Sequence, residues 1–330
     1  MSEPLSIALV GFGGHVRKNL LRVFALPGAP RLSAVLVRDV AAYRAAWPDH
    51  AALFTSDFDA LLADPGIDVV YVATPIAAHA LFAARALAAG KHVWCEKPVS
   101  PALETTRDLA DLAAARGVML GEVAMYRHHA QFAAVQGLLA DKAAAGVRLV
   151  AARARFTIPE LPPGDIRYDK AAGGGALLDV GYYPLSLAGA LFGLPRGVAA
   201  SGYTCPERGV DLSGSAALDY GDFAVHALWA IGAAYASELE LSFADSTVLV
   251  PRAFAKPPDL AVPLSVIQAN GASCDPIAVA ADDQFANLFA HYTTLIRADD
   301  HAAFSRLGAE AVQAATLIEQ VRSALDGAGR

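Results

Sequence analysis

Cysteine is scarce: Cys95, Cys205 and Cys274 are the only three in 330 residues, an odd number set far apart. That excludes a disulfide framework and gives no metal-ligand spacing, so free thiols are expected. The adjacent His128 and His129 have one acidic neighbour, Glu122, and do not converge on an ion without further ligands; they line a cleft or satisfy hydrogen bonds, and no metal is expected. Charge is thin as well, at 18% of residues with a net −7 and a pI near 5.7. Such a balance gives no electrostatic reason to expect nucleic acid or an anionic membrane surface as partner, and the arginines form no block. No apolar stretch of transmembrane length stands out, and the start Met1-Ser2-Glu3-Pro4 lacks the basic region and apolar core of a signal peptide, so a cytoplasmic protein is expected. Internal repeats and low-complexity linkers are missing too.

What is present is a 55% hydrophobic chain, long enough for two domains and a substantial buried core. Ser6-Ile7-Ala8-Leu9-Val10 is a short apolar run of strand type that stops at Gly11, and a helical pattern (Val16, Leu20, Leu21, Phe24) follows. Strand, glycine turn and helix are what a dinucleotide fold requires. Within Gly11-Phe12-Gly13-Gly14-His15, Gly11 permits the tight turn and Gly13 removes a side chain that would hold a pyrophosphate away from the helix start. The third glycine of the pattern is replaced by Val16. Leu32–Val37, Val69–Ala73 and His92–Trp94 read as further buried strands, and Leu81–Ala89 and Glu104–Ala115 as helices between them. The alternation predicts a parallel sheet covered on both faces, with ligands beyond the carboxyl ends of its strands. Thr74-Pro75, His79 and Glu96-Lys97-Pro98 fall just past such ends. His79 either orients the loop on the cofactor side or is a solvated helix residue.

After about Val123 the pattern changes. Arg148–Phe156, Val198–Tyr203, Leu212–Leu218, Phe223–Trp229 and Tyr235–Phe243 are strand-like, with Asp219-Tyr220-Gly221-Asp222 as a hairpin turn. Helices are expected over Asp282–Ile296 and Phe304–Leu325, and the proline-rich pieces Ile158–Gly164 and Lys256–Pro263 read as ordered loops beside a cleft. The expected class is therefore α/β: an N-terminal Rossmann domain with a parallel sheet (1–123), then a C-terminal α+β domain with an open-faced, mostly antiparallel sheet (124–330). Phe223, Val225, Ala227 and Trp229 share one face of that sheet, and Ala224, His226 and Leu228 the other. Helices can cover only one face, so the other is expected to pair with a second copy, giving a homodimer or homotetramer.

The chain resembles the family of glucose-fructose oxidoreductase, inositol dehydrogenase and the rhizopine catabolism dehydrogenases over nearly its whole length. The resemblance rests on the glycine loop, on Ala73-Thr74-Pro75 with His79, on Ala88-Ala89-Gly90-Lys91-His92-Val93 leading to Glu96-Lys97-Pro98, and on Gly173-Gly174-Gly175-Ala176-Leu177-Leu178-Asp179-Val180-Gly181. It implies the same two-domain architecture and a nicotinamide cofactor. Phe156-Thr157-Ile158-Pro159, Gly164-Asp165-Ile166-Arg167-Tyr168, Tyr183-Pro184 and Pro251-Arg252-Ala253-Phe254 resemble, more narrowly, the nucleotide-sugar C-3 ketoreductases of deoxysugar biosynthesis. Dihydrodiol and xylose dehydrogenases share much of this pattern. The resemblance thus implies reduction of a keto sugar, nucleotide-linked in the narrower reading, with dehydrogenation of a free sugar or cyclic diol, or a non-catalytic dinucleotide-responsive regulator, as the alternatives.

Reducing a ketone with hydride leaves an alkoxide, so the site needs a proton donor. Lys97 is the first candidate, its backbone fixed by Pro98 at the binding edge; otherwise it is a surface lysine after a strand. Tyr183 is the second, in the position where many family members carry histidine, unless it is a core aromatic with a partnered hydroxyl. Asp179 shares a face with Tyr183 if both lie on one helix, or caps a helix start. Arg167 matches a cofactor-near or phosphate-near arginine of the subgroup, or forms a surface ion pair. At the end of the second strand, where an NAD-binding domain places an acid for the ribose, stands Val37 followed by Arg38. A guanidinium there suits a 2′-phosphate, so NADP(H) is expected over NAD(H), with Asp39 as the competing group if the register shifts.

Overall fold

The computed structural model describes residues 3–328, which form two compact units. The first holds the chain up to Ala124 together with Phe285–Val312, and the second holds Met125–Gln284 and the chain from Gln313 onward.

In the first unit, β1 (Ser6–Val10), β2 (Arg31–Leu36), β3 (Phe54–Thr55), β4 (Val69–Val72), β5 (His92–Glu96) and β6 (Leu120–Val123) form one parallel sheet in the order β3-β2-β1-β4-β5-β6. The order reverses beside β1, which makes the strand ends there the place where such sheets bind ligands. Central strands β1 and β4 are buried along their whole length, as continuous apolar runs require. Helices α1 (Leu21–Phe24), α2 (Val40–Ala46), α3 (Phe58–Ala63), α4 (Ile76–Ala88) and α5 (Leu103–Arg116) fill the crossovers. Their ends are chemically marked: Asp39 accepts from Ala42 N to cap α2, Asp57 does the same from Ala60 N for α3, and Gly117 closes α5 in the left-handed region. Two strands of this sheet lie outside the sequence reading, β3 and β6. β3 is two residues long, and β6 carries Gly121 and Glu122, both poor strand formers.

In the second unit, α6 (Ala130–Ala144) leads into β7 (Leu149–Ile158), and α7 (Tyr182–Phe192) precedes β8 (Gly197–Cys205), β9 (Val210–Asp219), β10 (Ala224–Ile231), β11 (Ala236–Phe243), β12 (Ser246–Pro251) and β13 (Ser265–Gln268). The sheet order is β13-β12-β11-β7-β10-β9-β8, antiparallel at every pair except β7 with β10. The hairpin at Asp219–Asp222 is as expected, with Gly221 at φ +90°. Along β10, Val225, Ala227 and Trp229 are buried, whereas His226 and Leu228 are exposed. The outward face is mixed rather than apolar, because Arg153–Glu240 (2.7 Å) and Arg155–Glu238 (2.8 Å) pair across β7 and β11 beside Leu228.

Two expectations need correction. Helix α8 (Gln284–Arg297) and the first part of α9 (His301–Ala328) belong to the first unit, not to a continuous 124–330 domain. The reason is aromatic packing that sequence distance hides. Phe289 lies 5.0 Å from Trp94, and Tyr292 donates its hydroxyl to Glu122 O at 2.7 Å. Secondly, among the described residues one helical stretch, Lys170–Phe192, is long and apolar enough by composition to cross a membrane. Most of it is buried in the second unit, where its apolar side chains serve as core.

Candidate active site

In the first unit, the loops leaving β1, β2, β4 and β5 carry the expected residues, and polar contacts tie those after β1, β4 and β5 together. Gly11, at φ +95°, accepts no other residue: a Cβ there would stand 2.8 Å from Ala73 O in the loop after β4. Gly13 and Gly14 face open space. Phe12 turns inward against Tyr43, Trp47 and Phe54 at 5.2–5.9 Å between ring centroids, so its side chain anchors the loop and only its backbone faces outward. His15 Nε2 meets Glu96 Oε1 at 3.0 Å, and the Tyr71 hydroxyl donates to the same oxygen at 2.6 Å. Burial alone would raise the Glu96 pKa, but His15 and the Tyr71 hydrogen bond outweigh it and hold the carboxyl below its ordinary value. Burial pushes Tyr71 well above its own, with the Glu96 charge adding to the effect. Glu96 is thus an anion that fixes the glycine loop to the end of β5.

Lys97 follows directly, partly exposed, joined to Pro98 by a cis peptide. His79 is 1% exposed, with Nδ1 2.8 Å from Pro98 O and Nε2 2.9 Å from Thr74 O. A solvated helix residue is therefore excluded. Burial lowers the His79 pKa, and the two carbonyls, which only the protonated ring could satisfy together, oppose it less strongly. Thr74 Oγ1 is buried and finds no hydrogen-bond partner among the described residues, a polar atom left over at the strand edge. Arg38 is exposed and makes no ion pair among the described residues, while Asp39 Oδ1 caps α2 at 2.9 Å.

In the second unit, Arg167 Nε donates to Asp179 Oδ2 at 2.5 Å, and Nη1 lies 3.2 Å from Asp165 Oδ1. Burial disfavours the guanidinium charge, but the two carboxylates prevail and raise its pKa. The glycine run makes this possible. Gly175 (φ +117°) donates its N–H to Arg167 O, and a side chain on it would strike Asp211, whose Oδ2 accepts from Leu177 N at 2.6 Å. Asp179 lies in a wide π-type turn, Leu177–Gly181, that runs straight into α7. Asp179 and Tyr183 are hence on one continuous helix, though without the plain α-turn spacing expected between them. Tyr183 is 8% exposed among Phe156, Tyr126 and Phe254, at 4.9–6.1 Å, with its hydroxyl 3.7 Å from Met125 Sδ.

The chain matches the profile of the oxidoreductase family with an NAD-binding Rossmann fold over residues 5–124 and that of the GFO/IDH/MocA C-terminal domain over residues 132–246. It is a member of the Gfo/Idh/MocA oxidoreductase family. It is 34% identical over 323 residues to the dTDP-3,4-didehydro-2,6-dideoxy-alpha-D-glucose 3-reductase of Streptomyces violaceoruber, covering 96% of this chain and 93% of that one. The reductase of the same name from Saccharopolyspora spinosa is 32% identical, with 98% of each chain covered. Among solved structures, a 3-ketoreductase from Actinomadura kijaniata in complex with NADP and TDP-benzene superposes with a TM-score of 0.88 at 26% identity, covering 98% of both chains.

Within this family member, Gly11–His15, Thr74-Pro75, His79 and Glu96-Lys97 cluster at one edge of the first unit, and Arg167, Asp179 and Tyr183 occupy the second. Sequence reasoning missed Tyr71 as the hydroxyl that holds Glu96, and Glu122, whose Oε1 accepts from Val99 N at 3.0 Å. Each left a signal, a polar group inside an otherwise apolar strand. Among the described residues no group of three His, Cys, Asp or Glu side chains stands close enough to hold a metal ion. Instead His129 Nδ1 accepts from Gln131 N to start α6, and burial, with the nearby Lys256, draws its pKa down to about 4. The three cysteines are free thiols.

Proposed function

We propose that the protein reduces the C-3 ketone of a nucleotide-linked deoxyhexose with NADPH. The observation that carries this reading is the full-length likeness to named 3-ketoreductases together with a lysine at the carboxyl end of β5. The strand edge fits a dinucleotide phosphate: Gly13 leaves the approach clear, Thr74 Oγ1 has a hydrogen bond to give, and Gly11–His15 open toward the following helix. Arg38 supports NADP(H), with NAD(H) the weaker alternative, and Oδ1 of the adjacent Asp39 is engaged as a helix cap. When bound, the cofactor supplies the hydride.

The chain's own residues supply the proton and the orientation. Lys97 holds a proton at Nζ for the alkoxide left by reduction, and Glu96, pinned by Tyr71 and His15, fixes the backbone from which Lys97 projects. His79 joins the Thr74 and Pro98 carbonyls, so the loops after β4 and β5 keep one spacing. In the second unit, the Tyr183 hydroxyl is the other group able to give a proton, and Asp179 with Arg167 braces the turn that leads to it. Self-association into a dimer or tetramer through the outward face of the second sheet is part of this reading, with Leu228 beside the Arg153–Glu240 and Arg155–Glu238 pairs. Loss of NADPH absorbance with a nucleotide-linked 3-keto sugar tests the activity. Lys97→Ala should lower turnover at saturating substrate by about 10²- to 10⁴-fold; wild-type turnover in that variant would remove Lys97 from the chemistry.

A further inference from the structure

Arg252 is the one long side chain of the second unit held in the left-handed backbone region, at φ +52°. Hydrogen bonds on either side force it there. Pro251 O accepts from Gln131 Nε2 at 2.8 Å, Ala253 N donates to Ser237 O at 2.9 Å, and Phe254 N donates to Ser237 Oγ at 3.1 Å. Glycine would sit in this conformation without strain, and arginine does not, so the side chain is kept at a conformational cost. Its guanidinium stacks 4.9 Å above the Tyr235 ring, is exposed, and makes no ion pair among the described residues. Tyr235 touches Phe156 at 6.3 Å between centroids, and Phe156 touches Tyr183 at 4.9 Å; Phe254, two residues after Arg252, lies 5.5 Å from Tyr183. An exposed cation stacked on Tyr235 thus stands two ring contacts from Tyr183.

We infer that Arg252, stacked on Tyr235, binds the diphosphate of a nucleotide-linked substrate and so selects nucleoside-diphosphate sugars over free sugars. This rests on the reading of Tyr183 and of the substrate given above. The guanidinium fork matches phosphate oxygens, and stacking on Tyr235 fixes its plane beforehand, which reduces the ordering cost of binding. A sugar ring reaching toward Tyr183 would leave its diphosphate on the Arg252 side of the aromatic row. A surface arginine whose only role was solvation would have no reason to hold this backbone conformation against strain.

The test is thymidine diphosphate binding measured by calorimetry in the presence of NADP, on wild type, Arg252→Gly and Arg252→Lys. Glycine relieves the backbone, so Arg252→Gly should melt no lower than wild type. Its thymidine diphosphate affinity should fall by about 10-fold or more, the range of a charged hydrogen bond, and the kinetic loss should fall on KM more than on kcat. Lysine, with a charge but no fork, should recover part of the affinity. If wild type binds thymidine diphosphate and Arg252→Gly binds it equally well, the inference is overturned while the substrate reading stands. A lower melting temperature with kcat reduced as much as affinity would make Arg252 a structural residue and overturn it too. If wild type binds no thymidine diphosphate, the nucleotide-linked substrate reading falls, and this inference with it.

Discussion

Replacing Lys256 by methionine should change how stability depends on pH. Lys256 is 7% exposed, and its Nζ donates to Ala253 O at 3.0 Å. Burial draws its pKa down from 10.5 to about 7, with the Asp282 charge opposing only in part. At about 1.4 kcal/mol per pH unit, the buried charge costs up to roughly 5 kcal/mol relative to the neutral amine. The sign is set by proton counting. Between about 7 and 10.5 the unfolded chain keeps a proton that the folded chain has released, so stability rises with pH across that window. Because the folded group is only half titrated at the lower end, the rise between about pH 7 and about pH 9 is roughly 2 kcal/mol. His129, the neighbour whose pKa is about 4, stays neutral throughout. Methionine, one heavy atom shorter, fills most of the same space and removes the charge, but it leaves the Ala253 carbonyl without its donor, at about 1–3 kcal/mol. The variant should therefore be more stable than wild type by about 1–3 kcal/mol near pH 7 and nearly equal near pH 9. Urea denaturation of both proteins at the two pH values measures the difference. A gap between them that does not change with pH would refute the burial of a titrating charge at this position.

Arg38→Ala should lose about tenfold or more in kcat/KM with NADPH while kcat/KM with NADH stays near wild type. An NADPH preference that survives the substitution, or a wild type that prefers NADH, would take the 2′-phosphate away from Arg38. Light scattering at micromolar concentration should give a mass of two or four times 34.3 kDa, and a monomer would show that the mixed outward face of the second sheet is simply solvated.

The parallel sheet was legible because its strands are continuous apolar runs closed by glycine or proline, and because the ligand edge of such a sheet follows from topology alone. Gly11, Thr74 and Lys97 could be placed at that edge without any contact being known. What was hidden depends on chain separation. Trp94 and Phe289 are far apart in sequence, and neither α8 nor its apolar face announces which unit it covers, so residues 285–312 were assigned to the wrong side of the boundary. Strands β12 and β13 escaped for a different reason, being short and bounded by the proline-rich run that reads as loop.

The polar wiring of the site shows the same division. Asp39 as a helix cap could have been read locally, since its partner Ala42 is three residues away, and that reading would have removed the competing carboxylate from the ribose argument. Glu96 with Tyr71 and His15 could not, because the three lie on different elements and only the strand order brings them together. The second unit has no rule equivalent to the strand-end rule of the first, so sequence motifs there name residues without ranking them. The motif around Arg167 points to a cofactor or phosphate, and in the structure its charge is already matched by Asp165 and Asp179. Arg252 was no more than part of a motif, yet its charge is the unmatched one and its backbone is the strained one. An anionic ligand gains most from a cation that has no carboxylate to give up, so of the two arginines Arg252 is the better placed to receive it.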